Sequence, residues 1–412
     1  MRRTDDESAS HFGGILVSVG GNSPRRHLHN SRPSRFAEIS RDANLDLLGD
    51  DIVTSKIGLI GFGYWGTNLA RNLARLAGPR WRYLVDASPE RRRAATKRYP
   101  DVVVTDDLDA LLGDDEVGAV LIATPAPSHA PLARRALAAG RHVFVEKPLA
   151  MSLADAVALA DTADRSGLVL MVGHTFEYVP AVEWMREYIR AGELGDVLYL
   201  HSQRLNLGRI QSDLHSFWSI GPHDVSIANH LLGTDARWVA AQGGRYLHDG
   251  VEDVMFVTVG YPGDVVAHMH VSWLDPAKTR RTTVVGTRRM LVYDDLRPEA
   301  RVTVFDKGAE PVEPDGTGVR RYRLRDGAVH VPELSTAEPL ALELAHFLDC
   351  VRTGTRPRTD GWNGARVVAV LEAADASLRA GGAAVAVPRV EIPGSARTRT
   401  DDASLDLTAA AS

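Results

Sequence analysis

The sequence predicts an α/β Rossmann domain, with a doubly wound parallel sheet, followed by an α+β domain with a large, mostly antiparallel open sheet. Three observations carry this expectation. Between residues 56 and 172 short apolar runs alternate with segments of helical periodicity, the pattern of βαβ units whose sheet is covered on both faces. The first run leads directly into Gly61-Phe62-Gly63-Tyr64-Trp65-Gly66, a G-x-G-x-x-G string that opens a helix. After Pro180 the helices thin out, and β-rich runs follow one another across turns such as Pro262-Gly263-Asp264.

Taken in chain order, residues 1–54 mix Arg, Ser, Asn and His without a sustained period and read as a disordered extension. Residues 55–177 form the dinucleotide-binding domain, with strands expected at 56–60, 83–85, 102–104, 119–122, 142–145 and 168–172. Helices at 128–139 and 153–165 end at Gly140 and Gly167, where a left-handed cap is easiest. Residues 178–393 form the α+β domain for substrate binding and oligomerisation. It has a helix at 181–191, a helical stretch at 224–232 and strands at 197–205, 237–246, 254–261, 265–273, 282–285, 290–293 and 302–305. Helices at 340–352 and 363–380 follow, and residues 394–412 read as a loose tail.

Composition narrows the function classes. The chain is 44% hydrophobic and 25% charged with a formal charge of −5, which gives no general attraction to nucleic acid or anionic lipid. No apolar stretch reaches the ~18 residues of a membrane helix. Cys350 is the sole cysteine, so no internal disulfide forms, and a reducing, cytoplasmic setting with a small-molecule partner is expected.

In the glycine string, Gly61 suits a tight turn, Gly63 close approach of a pyrophosphate, and Gly66 contact between helix and strand. Phe62, Tyr64 and Trp65 complete the loop, and the helix N-terminus offers free N–H groups to phosphate. Asp86, at the end of the second strand, is placed to bond the adenosine ribose. Its charge favours NAD over a 2′-phosphate. Arg91, Arg92 and Arg93, one helical turn on, keep NADP open. Thr124 and Pro125 end the fourth strand, and Glu146 and Lys147 the fifth. All four therefore stand at the carboxyl edge, where ligands bind in open α/β sheets.

These motifs, in the order G-x-G-x-x-G, then A-T-P-x-x-x-H (Ala123 to His129), then E-K-P (Glu146 to Pro148), resemble the glucose-fructose oxidoreductase/inositol dehydrogenase/MocA family. The resemblance runs from about residue 56 to 388. It implies that Lys147 lies between nicotinamide and substrate, that Pro148 follows a cis bond, and that His129 stands beside the nicotinamide or else is a simple loop residue. The family's D-x-G-x-H motif matches Ser219-Ile220-Gly221-Pro222-His223 here. His223 then falls on the general acid/base, with Ser219 in place of an aspartate. Asp224 is the candidate to compensate, and a bare helix cap is the alternative for His223.

Arg204, Asn206, Arg209 and His215 fall on a strand and the loop after it, where the same fold would face substrate; His174 and Tyr178 line that cleft or pack at the domain junction. His268 and His270 share one strand face without the partners of a metal site, so no metal is expected. A broad sheet with one open face calls for a second subunit, giving a dimer or tetramer. The resulting expectation is hydride transfer between nicotinamide and a carbinol carbon of a sugar, nucleotide-sugar or cyclitol. The rivals are a reductase of an imine, dihydrodiol or tetrapyrrole, and a silent dinucleotide sensor.

Overall fold

The computed structural model describes residues 55–208, 210–247, 249–312 and 321–393. The expected disordered ends and Arg209 lie outside these residues. The first sheet contains β1 (Lys56–Ile60), β2 (Trp81–Val85), β3 (Val103–Thr105), β4 (Val117–Ile122), β5 (His142–Glu146) and β6 (Leu170–Gly173) in the order β3-β2-β1-β4-β5-β6. All its pairs are parallel. The order reverses direction at β1 and β4, and that switch point opens a crevice at the carboxyl ends of the strands. The connecting helices are α1 (Gly66–Leu76), α2 (Pro89–Arg98), α3 (Leu108–Leu112), α4 (His129–Ala138) and α5 (Leu153–Ser166). Ser152 caps α5 by accepting from the Asp155 amide, and Gly167 closes it at φ +64°, as the glycine pattern foretells.

The second sheet runs β14-β13-β12-β11-β7-β10-β9-β8-β15. Its strands are β7 (Val197–Leu205), β8 (Trp238–Gly244), β9 (Val254–Gly260), β10 (Val266–Ser272), β11 (Thr279–Gly286), β12 (Met290–Asp294), β13 (Val302–Val312), β14 (Arg321–His330) and β15 (Val385–Ala386). Adjacent strands are antiparallel except β7 with β10, which are parallel. One face carries α7 (Ser216–Leu232) and α9 (Gly361–Arg379); α6 (Pro180–Arg190) and α8 (Pro339–Thr353) complete the helices. The other face is open, with Tyr199, Phe256 and His268 exposed on it.

Three differences from the sequence expectation have physical causes. β14 was not expected: its RYRLRDGAVH places charged and polar residues on both faces, and nearly all of it is exposed, so no buried alternation marks it. α7 begins at Ser216 rather than near Asp224, because Pro222 lies inside the helix instead of starting it. A proline there removes one i→i−4 bond, and seventeen residues of largely buried helix tolerate the loss. Finally, residues 339–379 return to the first domain. Leu344, Phe347 and Cys350 of α8 share a core with Leu59, Leu69 and Phe144, and Val172 N–H donates to the Thr359 carbonyl at 2.7 Å beside the β6 edge.

Candidate active site

The loop between β1 and α1 is shaped by glycine. Gly61 has φ +98°, and a Cβ there would stand 2.6 Å from the Ala123 carbonyl oxygen. A Cβ on Gly66 would strike the Gly61 carbonyl at 2.1 Å, whereas one on Gly63 would meet only Arg91, at 3.7 Å. The turn is therefore closed beneath and open above, a cradle in which a pyrophosphate reaches the α1 amides. Asp86 is buried at the β2 terminus and accepts from the Phe62 amide at 2.7 Å and the Ser88 amide at 2.8 Å. These bonds fix its carboxylate at the crevice. Arg91 approaches it at 3.8 Å from a largely exposed position. Tyr64 projects from the lip, 78% exposed. The residues fit a dinucleotide: an open glycine turn at a helix N-terminus for the phosphates and a fixed acid for a ribose diol.

At the neighbouring strand ends Thr124 and Pro125 form the crevice floor. His129 is buried beneath them, its ring nitrogens 2.7 Å from the Pro148 carbonyl and 2.8 Å from the Thr124 carbonyl. From inside the wall it joins the loops that end β4 and β5. The Lys147–Pro148 bond is cis.

Lys147 reaches across the domain junction and donates to the Ser219 carbonyl on α7 at 2.7 Å. Burial lowers its pKa, the adjacent Glu146 raises it, and Arg204 lowers it. Glu146 is itself buried and its pKa is pushed up to about 8 by desolvation, against opposing effects of Lys147 and the Trp65 indole N–H.

His223 lies inside α7, against the Phe176 ring at 4.9 Å. Its Nδ1 is buried without a partner, which leaves Nε2 as the nitrogen toward the groove. Burial, then Lys147 and Arg204, hold its pKa well below the usual histidine value, so the ring is neutral near pH 7. His174 has both ring nitrogens buried and unpartnered, and burial takes its pKa down to about 4.

Other expected substrate residues are committed elsewhere. Arg204 donates twice to Asp224, at 2.9 and 3.2 Å, and lies over the Phe176 ring at 4.4 Å. Both partners are buried, so Arg204 is no free anion clamp and Asp224 is no counter-ion to His223. Tyr178 is a packing residue: its hydroxyl meets Thr359 at 3.2 Å and Arg358 covers its ring at 4.9 Å. His215 caps α7 through the Trp218 amide and pairs with Asp375 at 2.7 Å, facing a cavity of about 790 Å³ away from Lys147. Asn206 remains exposed beyond β7. Phe176 and Glu343 were missed from the sequence. Neither belongs to a motif; the Phe176 ring gains meaning only when His223 and Arg204 pack on it, and Glu343 when α8 returns to the first domain.

A glycine cradle, a fixed acid on β2, and a lysine and a neutral histidine meeting from two domains define a dinucleotide-dependent oxidoreductase. Residues 55–174 match the model of an oxidoreductase family with an NAD-binding Rossmann fold, and residues 182–292 that of the GFO/IDH/MocA C-terminal domain. The dTDP-3,4-didehydro-2,6-dideoxy-alpha-D-glucose 3-reductase of Streptomyces violaceoruber is 32% identical over 58% of this chain and 72% of its own. The inositol 2-dehydrogenase of Acidothermus cellulolyticus is 27% identical over 81% and 95%. Other curated relatives are covered over 59% of their length. Among solved structures, GenD2 from gentamicin A biosynthesis in complex with NAD superposes with a TM-score of 0.67 at 26% identity, over 82% of this chain and 98% of that one. The chain belongs to the Gfo/Idh/MocA oxidoreductase family, and its Rossmann domain binds NAD. Among the described residues no helix is long and apolar enough to cross a membrane, and none group into a metal-holding cluster.

Proposed function

We propose that the protein is an NAD-dependent dehydrogenase acting on a carbinol of a sugar, nucleotide-sugar or cyclitol. The observation that carries this is the 2.7 Å bond from Lys147 to Ser219, which brings the β5 terminus and the His223 helix to one groove. The inositol 2-dehydrogenase and the dTDP-sugar 3-reductase named above carry substrates of this chemistry in their names. The amides of α1 and the Gly61–Gly66 turn would hold the pyrophosphate, Asp86 the ribose, and Thr124, Pro125 and Trp65 the nicotinamide side. When bound, the nicotinamide supplies a hydride acceptor. His223 Nε2, neutral at the working pH, takes the proton from the substrate hydroxyl, and the Lys147 ammonium holds the reacting oxygen. A reductase of a non-sugar substrate would not need so polar a groove, and a silent sensor would not need an unpartnered His223.

The test is to incubate pure protein with NAD and a panel of polyols and follow NADH absorbance. Turnover is expected, with kcat lowered by about 10²–10⁴-fold in Lys147→Ala. NAD binding without turnover on any polyol would overturn the reading. We further propose that the open face of the second sheet pairs with another copy, since Tyr199 and Phe256 leave apolar surface on it; light scattering that finds only monomer would refute this.

A further inference from the structure

A cavity of about 460 Å³ opens where the end of α7, the first turns of α9 and residues 387–390 meet. Neither Lys147 nor His223 lines it. The turn Thr175–Tyr178 runs between it and the catalytic groove: Glu177 stands in the cavity wall, while Phe176 packs on His223 and Arg204. Five arginines converge on the cavity from separate elements, Arg186 of α6, Arg237 before β8, Arg358 before α9, Arg366 of α9 and Arg389 after β15. Two carboxylates share the wall, Glu177 and Asp235, and Glu183 bonds to two of the lining residues. All three are engaged. Glu177 accepts from Asn363 at 3.2 Å and meets His230 at 3.1 Å. Glu183 takes Arg358 at 2.8 Å and His230 at 3.2 Å, and Asp235 takes Arg366 at 3.1 Å. Arg237 and Arg389 have interactions of their own.

The existing bonds hold the guanidiniums in place and leave part of each fork unused. Arg366 is bonded through Nε, and Arg358 through Nη1 alone, so both Nη groups of Arg366 and Nη2 of Arg358 have no hydrogen-bond partner among the described residues. Arg186 approaches Glu183 only at 3.8 Å. Guanidiniums gathered round one space repel each other unless an anion sits among them, and their planar forks match the oxygens of a phosphate. The volume lies in the range of small-molecule sites and exceeds what a bare phosphate fills. Ala236, Ala369, Val387, Pro388 and Val390 supply an apolar wall for the remainder. We propose that this cavity is a second ligand site, separate from the dinucleotide crevice and the reacting groove, that binds a small phosphate ester. Arg186, Arg358 and Arg366 hold the phosphate, and the organic part lies against the apolar wall formed by residues 387–390.

The test is calorimetry on the full chain with glycerol 3-phosphate, in saturating NADH so that the glycine cradle is already filled. One equivalent should bind, inorganic phosphate should compete for it, and glycerol should not bind. Arg366→Gln and Arg186→Gln should each weaken binding by about tenfold or more, the weight of a charge-assisted bond, with NADH affinity unchanged. Asp235→Asn removes the carboxylate that competes for Arg366 and should tighten binding severalfold. Changes of opposite sign from Arg366 and its own partner are not produced by loosened packing. No uptake of glycerol 3-phosphate would overturn the proposal, and so would uptake that both arginine variants leave unchanged. Binding of citrate where glycerol 3-phosphate fails would overturn the assignment to phosphate. These titrations need no turnover, so a protein inactive on every polyol would count only against the dehydrogenase reading.

Discussion

Replacing Asp224 by Asn separates two roles that the sequence leaves open. The Arg204–Asp224 pair is bidentate, and its side chains are 9% and 2% exposed. Little solvent can therefore screen a guanidinium left alone, and breaking such a pair costs about 3–5 kcal/mol. Arg204 would keep its place over Phe176, but that contact offsets only about 1–2 kcal/mol of an uncompensated charge. The expected result is a fall of that size in unfolding free energy by guanidinium titration, seen as a lower midpoint at constant slope. The double change Arg204→Met with Asp224→Leu should recover most of the loss, because an apolar pair of similar volume avoids the desolvation that the ions suffer. Activity should not recover with it, since Phe176 and His223 lose the cation that orders them. A loss below about 1 kcal/mol in Asp224→Asn, the range of an exposed pair, would refute the reasoning. So would a changed His223 titration with intact stability, which would make Asp224 the histidine's partner after all.

Ser219→Asp should place a carboxylate four residues before His223 on the same helix face and raise the His223 midpoint by about 1–3 pH units; histidine NMR reads this, and no shift would show that the two side chains do not meet. Gly61→Ala should weaken NAD binding at least about tenfold by calorimetry, since a left-handed residue with a Cβ 2.6 Å from the Ala123 oxygen carries about 1–3 kcal/mol of strain; unchanged affinity would show the turn is not the cradle. His230 is penalised by burial, but bonds to Glu177 and Glu183 outweigh it and raise its pKa. A raised folded value stabilises fully below the unfolded pKa and is lost as pH climbs through the folded one. His230→Gln should therefore destabilise more at about pH 6 than at about pH 9, and equal losses would contradict the linkage.

The parts of the fold that repeat locally were legible. β1, the glycine turn, α1 and Asp86 form one continuous stretch whose spacing mirrors its geometry, and the caps at Gly140 and Gly167 announce their φ in their residue type. What the sequence hid was assembled over long separations. The pairing of Arg204 with Asp224 spans twenty residues and two element types, so each side chain taken alone resembles a free ligand. Tyr178 and Thr359 are still farther apart, and the hydroxyl that looks available in the chain is already bonded in the fold. His129 belongs to a motif of the crevice, but the closeness of its ring nitrogens to the Thr124 and Pro148 carbonyls is visible only in the fold.

The serine at position 219 shows how the fold changes the meaning of a substitution. With an aspartate there, a proton arriving on His223 would meet a negative charge close by. Here the charges that most influence His223 are the cations Lys147 and Arg204, and Asp224 is spent on Arg204. A protonated His223 is therefore poorly supported, so the ring accepts a proton only briefly and must pass it on. Lys147, whose pKa is lowered by burial and by Arg204, keeps its ammonium anchored on the Ser219 carbonyl. The lost side-chain carboxylate is thus answered by a main-chain oxygen on the same residue. That oxygen accepts a hydrogen bond from the lysine without adding a charge to the histidine.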